Sequence, residues 1–197
     1  MKRSAKISRK TSETSITLDL DLDGDGSAEV DSGSAFLDHM LKLFARHGLL
    51  RLRASISGDT EIDYHHTVED TGIVLGKAFS EALGDKSGIQ RYGHAYVPMD
   101  ESLARAVVDF SGRPYLAYRA PSGVEPLGAG FPFQLVEEFL RAFTTNAAAN
   151  VHLEILHGKD AHHMAEAVFK ALARACCQAA TRDHRVSGIP STKGTLV

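Results

Sequence analysis

Apolar and polar positions alternate through residues 15–32, "SITLDLDLDGDGSAEVDS", with Asp-Gly pairs in the middle. That period of two, interrupted by turn residues, predicts a β-hairpin. Further strands are predicted at 49–57 ("LLRLRASIS"), 91–97, 103–110, 114–119 and 151–156 ("VHLEIL"), with Pro-Met-Asp and Gly-Arg-Pro as punctuation. Elsewhere apolar residues recur every three or four positions, the period of an amphipathic helix. This holds for 36–44 ("FLDHMLKLF"), 71–83 ("TGIVLGKAFSEAL"), 135–143 ("LVEEFLRAF") and 167–180 ("AVFKALARACCQAA"). The stretch 121–131 reads as a loop or linker between two halves.

The pattern repeats. Residues 63–69 and 160–166 are both Asp-x-His-His-x-x-Glu, 97 positions apart, and a helical run follows each. Upstream, 36–44 aligns with 135–143, and a strand-like segment separates each helix from its motif. Each half therefore reads strands, helix, strand, helix. Four matching elements in one order imply duplication of an α+β unit of roughly 90 residues, a size that suits a compact unit.

Composition narrows the function. The chain has 197 residues, 43% hydrophobic, with a net charge of −3, so a buried core is feasible and no basic surface argues for nucleic acid or an anionic membrane. The basic start "MKRSAKISRK" is not followed by an apolar run, which speaks against a secretory signal. No segment is long and apolar enough to span a bilayer. The two cysteines, Cys176 and Cys177, are adjacent in a helical pattern. They cannot form a disulfide framework, and a cytoplasmic setting is expected. "DLDGDG" at 21–26 imitates the start of a calcium loop, but position twelve is Ser32 rather than a bidentate glutamate. Nucleophile-elbow, P-loop, dinucleotide-binding and HExxH motifs are absent.

Ten histidines stand out. In a helix, His65 and Glu69 share a face, and His66 and Glu69 are also neighbours, yet adjacent histidines point about 100° apart. One histidine of each pair can join the glutamate on a metal while the other turns to a second target. Nitrogen and carboxylate ligands without thiolate suit Mn²⁺, Fe²⁺, Zn²⁺, Co²⁺ or Ni²⁺, and several per ion suit an octahedral metal such as manganese. His39 and Glu138 occupy matching positions in the two upstream helices and add candidate ligands. Among the isolated histidines, His47 is the best functional candidate. Arg91, Arg113, Lys170 and Lys193 sit at element ends, in turns or beside the second motif, and "PSTKG" at 190–194 offers an anion cradle.

"FLDHML", "DYHHTVEDTGIVLG", "RYG", "GRPY", "DAHHMAEAVFKALARA" and "IPSTKG" together resemble the imidazoleglycerol-phosphate dehydratase family, from about Glu13 to Gly194. The resemblance implies a hydro-lyase of histidine biosynthesis acting on a small phosphorylated substrate. It implies an α+β fold of duplicated half-domains, each a four-stranded sheet backed by two helices, within a single domain. The halves would span about 10–95 and about 96–185, with a substrate-binding tail at 186–197. It further implies two Mn²⁺ ions per active site and a homo-oligomer of 24 chains built from trimers. The implied metal ligands are His39, His65, His66, Glu69, Glu138, His162, His163 and Glu166. Substrate contacts fall at Glu13, His39, His47, Arg91, Arg113, Lys170, Thr192 and Lys193. Catalysis would involve Glu13, as the proton-transferring carboxylate, with His65, Glu69, His162 and Glu166. The family pattern has histidine where this chain has Glu138; either the site survives with altered charge or one metal is held weakly. A binuclear metallohydrolase and a metal-assembled structural oligomer are the competing readings.

Overall fold

The computed structural model describes residues 2–124, 127 and 131–196. The first half comprises β1 (Ser4–Lys10), β2 (Thr14–Asp21), β3 (Ala28–Asp31), α1 (Ala35–Gly48), β4 (Arg51–Gly58) and α2 (His65–Leu83). The second comprises β5 (Tyr92–Met99), β6 (Ser102–Asp109), β7 (Tyr115–Arg119), α3 (Leu135–Asn146), β8 (Asn150–His157) and α4 (Ala161–Ala180). The sheets have matching orders, β1-β2-β4-β3 and β5-β6-β8-β7. In each, the last pair is parallel and the others antiparallel. Two four-stranded mixed sheets, each with two helices, make this a duplicated α+β fold. No helix among the described residues is long and apolar enough to cross a membrane.

The alternation in the sequence sets the layers. In β2, Ile16, Leu18 and Leu20 are buried while Ser15 and Thr17 face out. α2 covers β1 and β2; α4 covers β5 and β6. The helices also meet across the halves, α1 against α4 and α2 against α3, so they form a double layer between the sheets. Phe44 and Phe79 of the first half meet Phe143 of the second edge-on, with centroids 6.1 and 5.3 Å away. Burying such rings supplies much of the apolar driving force. α2 and α3 approach closely because α2 presents glycine there. A Cβ on Gly72 would lie 2.7 Å from the Phe139 carbonyl oxygen, and one on Gly76 2.5 Å from that of Phe143.

Three expectations need correction. The segment 15–32 is not a hairpin: β2 pairs with β4 along its length, and β3 pairs parallel to the far side of β4. Side chains of Asp21 and Asp25 accept from the backbone N–H groups of Asp23 and Ser27, and the loop runs over the start of β4. A Cβ on Gly24 would lie 2.1 Å from the Arg51 nitrogen. β3, α1 and β4 thus form a crossover unit, which a parallel pair requires. Second, β5 belongs to the second sheet and β1 begins at Ser4, so the sheets divide within residues 84–91 rather than near 95. Third, 121–131 connects β7 to α3 inside the second half, not one half to the other; residues 125–126 and 128–130 of it lie outside the described residues.

Candidate active site

Both His-His pairs open a helix. Asp160 caps α4, its Oδ1 accepting from the His163 N–H at 3.0 Å, and Asp63 Oδ1 accepts from the His65 N–H at 2.7 Å. Such carboxylates satisfy first-turn donors and favour the positive helix end. The adjacent rings stand nearly perpendicular, 87° for His65 and His66 and 85° for His162 and His163. Each pair therefore serves two directions.

One direction leads to a contact between the halves. His39 Nε2, on α1, lies 2.8 Å from Glu166 Oε1, on α4, and His162 Nε2 lies 3.1 Å from the same oxygen. Lys170 donates to the other oxygen, Oε2. Glu166 is buried, which by itself raises its carboxyl; the hydrogen bonds from Lys170 and His39 outweigh burial and hold it at about 2. One ligand atom from each of His39, His162 and Glu166 lies within 4.8 Å of the others, the one such group among the described residues. Two imidazole nitrogens and a carboxylate oxygen, with no thiolate, fit a divalent cation.

The other direction leads to carboxylates in each half's own loops. His66 Nδ1 is 2.9 Å from Asp59 Oδ2, with Glu13 Oε1 3.8 Å from His66 Nε2. His163 Nδ1 is 2.7 Å from Glu101 Oε2, with Asp100 Oδ2 3.8 Å from His163 Nε2. The hydrogen bond to Asp59 raises the His66 pKa, and that to Glu101 raises that of His163. In both, the partner on Nδ1 sets the ring so that Nε2 faces outward, the arrangement that orients histidine ligands. Asp59 and Glu101 were not among the sequence candidates. The available signal was positional: Glu13 and Glu101 each end the two-residue turn that joins the first two strands of their half.

The remaining candidates divide. Arg91, Arg113, Thr192 and Lys193 line one cavity of about 600 Å³ with Tyr92, Pro190 and Ser191. Arg91 is already engaged there. It grips Asp109 through two hydrogen bonds of 2.7 and 3.1 Å and donates to the Pro190 carbonyl at 2.9 Å, so it clasps the C-terminal tail. Lys170 instead sits on Glu166, and His47 lines a separate basic cavity with Arg46, His94 and Arg174. His65, Glu69 and Glu138 do not close into a second triad among the described residues. Glu138, the counterpart of His39, leans toward Arg141 at 3.9 Å. Glu138 offers a carboxylate where its counterpart His39 offers an imidazole.

Comparison with known proteins settles the class of the molecule. The imidazoleglycerol-phosphate dehydratase family model matches residues 32–176. The chain belongs to this family. Named imidazoleglycerol-phosphate dehydratases of Akkermansia muciniphila and Geobacter metallireducens are each 54% identical to it. The first alignment covers 98% of this chain and 100% of the relative, the second 100% of both. The crystal structure of the Staphylococcus aureus imidazoleglycerol-phosphate dehydratase superposes with a TM-score of 0.82 at 40% identity, covering 91% of this chain and 99% of that one. The Pyrococcus furiosus protein, solved in complex with (S)-C348, gives 0.82 at 33%, covering 96% and 100%. Membership of the imidazoleglycerol-phosphate dehydratase family makes the chain an enzyme, a hydro-lyase.

Proposed function

We propose that the chain dehydrates imidazole glycerol phosphate to imidazole acetol phosphate in histidine biosynthesis, using two Mn²⁺ ions per active site. The observation that carries the reading is the convergence of His39, His162 and Glu166 from opposite halves on one point. These three would hold one metal ion. His65, His66, Glu69, Glu138 and His163 are the further proposed ligands. When bound, the metal ions supply Lewis acidity toward the imidazole ring and a template for it.

The chain's own residues do the rest. Asp59 and Glu101 hold the His66 and His163 rings with Nε2 outward. Glu13 moves the proton: its carboxylate accepts no hydrogen bond among the described residues, is half-exposed, and stands 3.8 Å from His66 Nε2. A positioned carboxylate of this kind suits general acid–base work. Arg113, Thr192 and Lys193 hold the substrate phosphate, and Arg91 holds the tail that presents Thr192 and Lys193. His47 and Lys170 are proposed contacts nearer the triad.

None of the triad residues lines the cavity carrying Lys193, which accords with a site completed by a neighbouring subunit. The outer face of the second sheet exposes Tyr92, Tyr96, Val107 and Tyr115, apolar surface that favours self-association. Both support a homo-oligomer; 24 chains built from trimers is the proposed form. A cytoplasmic location accords with free Cys176 and Cys177. Metal-loaded protein should convert imidazole glycerol phosphate to imidazole acetol phosphate. No turnover with Mn²⁺ present would overturn the assignment, and release of inorganic phosphate instead would favour a hydrolase.

A further inference from the structure

The geometry points to Asp70 as a positioning residue that holds the Glu13 turn against the helix carrying His66; this rests on the reading of Glu13 as the proton-transferring group. Asp70 follows Glu69 on α2 and lies four residues beyond His66, on the same helix face. It is buried, with 5% of its surface exposed. Its carboxylate spans both strands of the β1–β2 hairpin. Oδ1 lies 2.9 Å from the Arg9 guanidinium on β1, and Oδ2 accepts the Thr14 hydroxyl at the start of β2.

Thr14 adjoins Glu13 and is itself buried. The turn is tied further by Thr11 Oγ1, which accepts from the backbone N–H groups of Glu13 and Thr14 at 3.1 and 3.0 Å. The Glu13 carbonyl accepts from the Asp59 N–H at 3.1 Å. Every tether therefore acts on the backbone of the turn or on neighbouring side chains. None occupies the Glu13 carboxylate, which stays available to react.

The second half solves the same problem differently. The position matching Asp70 is Ala167, fully buried, so no side chain at that helix position ties the hairpin. The matching turn is secured through the Glu101 carboxylate itself, whose Oε1 accepts from the Lys159 and Asp160 N–H groups at 3.0 and 2.9 Å. A carboxylate committed to those bonds is a structural tie. An independent anchor is needed only where the carboxylate must remain uncommitted, and Asp70 supplies it.

The test is steady-state kinetics of the metal-loaded enzyme carrying Asp70→Asn, Glu13→Gln, and both together. Asp70→Asn should lower kcat about tenfold with KM within about twofold, since misplacing a proton-transfer group affects the transition state more than binding. The double variant should be no slower than Glu13→Gln alone, because residues acting through one group are not additive. Unchanged kcat in Asp70→Asn, or multiplied losses in the double variant, would overturn the proposal while Glu13→Gln stays inactive. Full activity in Glu13→Gln would instead remove the reading beneath it, and the proposal with it. Should Asp70→Asn fail to assemble, Thr14→Val removes only the hydroxyl and should lower kcat several-fold, with Thr14→Ser restoring it. Equal kcat for the valine variant and the unsubstituted enzyme would count against the role.

Discussion

The two halves share one topology and one seven-residue motif, yet they use their acidic residues in opposite ways. In the second half Glu166 is buried between His39, His162 and Lys170, and Glu101 is fastened by backbone N–H groups and His163. In the first half Glu69 does not close on His65 among the described residues, and the Glu13 carboxylate accepts no hydrogen bond among them, standing 3.8 Å from His66 Nε2. The outer sheet faces differ as well. The first presents Lys6, Thr17, Arg53 and Ser55; the second presents tyrosines. The two frames match, yet one turn carboxylate is tied by backbone N–H groups and the other is not.

The hardest blow to this contrast should come from Glu166→Ala. It strips two histidines of their common partner and leaves the partly buried Lys170 without its counter-charge. Loss of turnover by at least about 10³-fold is expected, together with lost metal, and destabilisation of about 3–5 kcal/mol in metal-free protein. Metal analysis and denaturant unfolding check both; near-normal metal content would show that the closed triad is not the main site. Next, Glu13→Gln should lower kcat by about 10²–10⁴-fold, whereas Glu101→Gln should keep kcat within an order of magnitude and chiefly lower the melting temperature. Equal kcat losses would erase the distinction between the turns.

Glu138→His would make the halves more alike. Exchanging the proposed carboxylate ligand for imidazole should tighten metal binding there by about 10-fold, read by competition with a chelator. Unchanged affinity would mean that Glu138 stands outside the coordination shell. The smallest effect concerns His47, whose counterpart in α3 is Asn146. Burial lowers the His47 pKa, and Lys170 and Arg174 lower it further. A depressed folded pKa gives stability that is present above the ordinary value of 6.5 and is lost as pH falls through the folded value. Unfolding measured at pH 7.5 and 5.5 should show a pH-linked loss that His47→Gln reduces; an identical slope would remove that role.

Much of the frame was legible from periodicity. The helices at 36–44 and 135–143 lie within the observed Ala35–Gly48 and Leu135–Asn146, and the strand predicted at 151–156 within Asn150–His157. These assignments depend on which residues lie on one face, a local property. The position of β3 was not legible, because alternation specifies a buried face and not the neighbour it meets; β4 displaced it from β2. Asp59 and Asp70 escaped notice for a related reason. Neither belongs to the repeat, and each gains meaning only from a histidine or a hairpin brought beside it by packing.

The sequence by itself determined the duplicated motif, the helix starts that turn adjacent histidines apart, and the family to which the chain belongs. Those follow from spacing along the chain and from the fixed rotation of a helix. Only the tertiary structure decided that His39 joins His162 and Glu166 rather than its own half's motif, that Arg91 clasps the tail, and that Glu13 stays open while Glu101 is tied. Each of these depends on distances between segments far apart in sequence. Such distances come from packing the two helix pairs against one another, where apolar burial and close backbone approach at Gly72 and Gly76 set the relation of the halves.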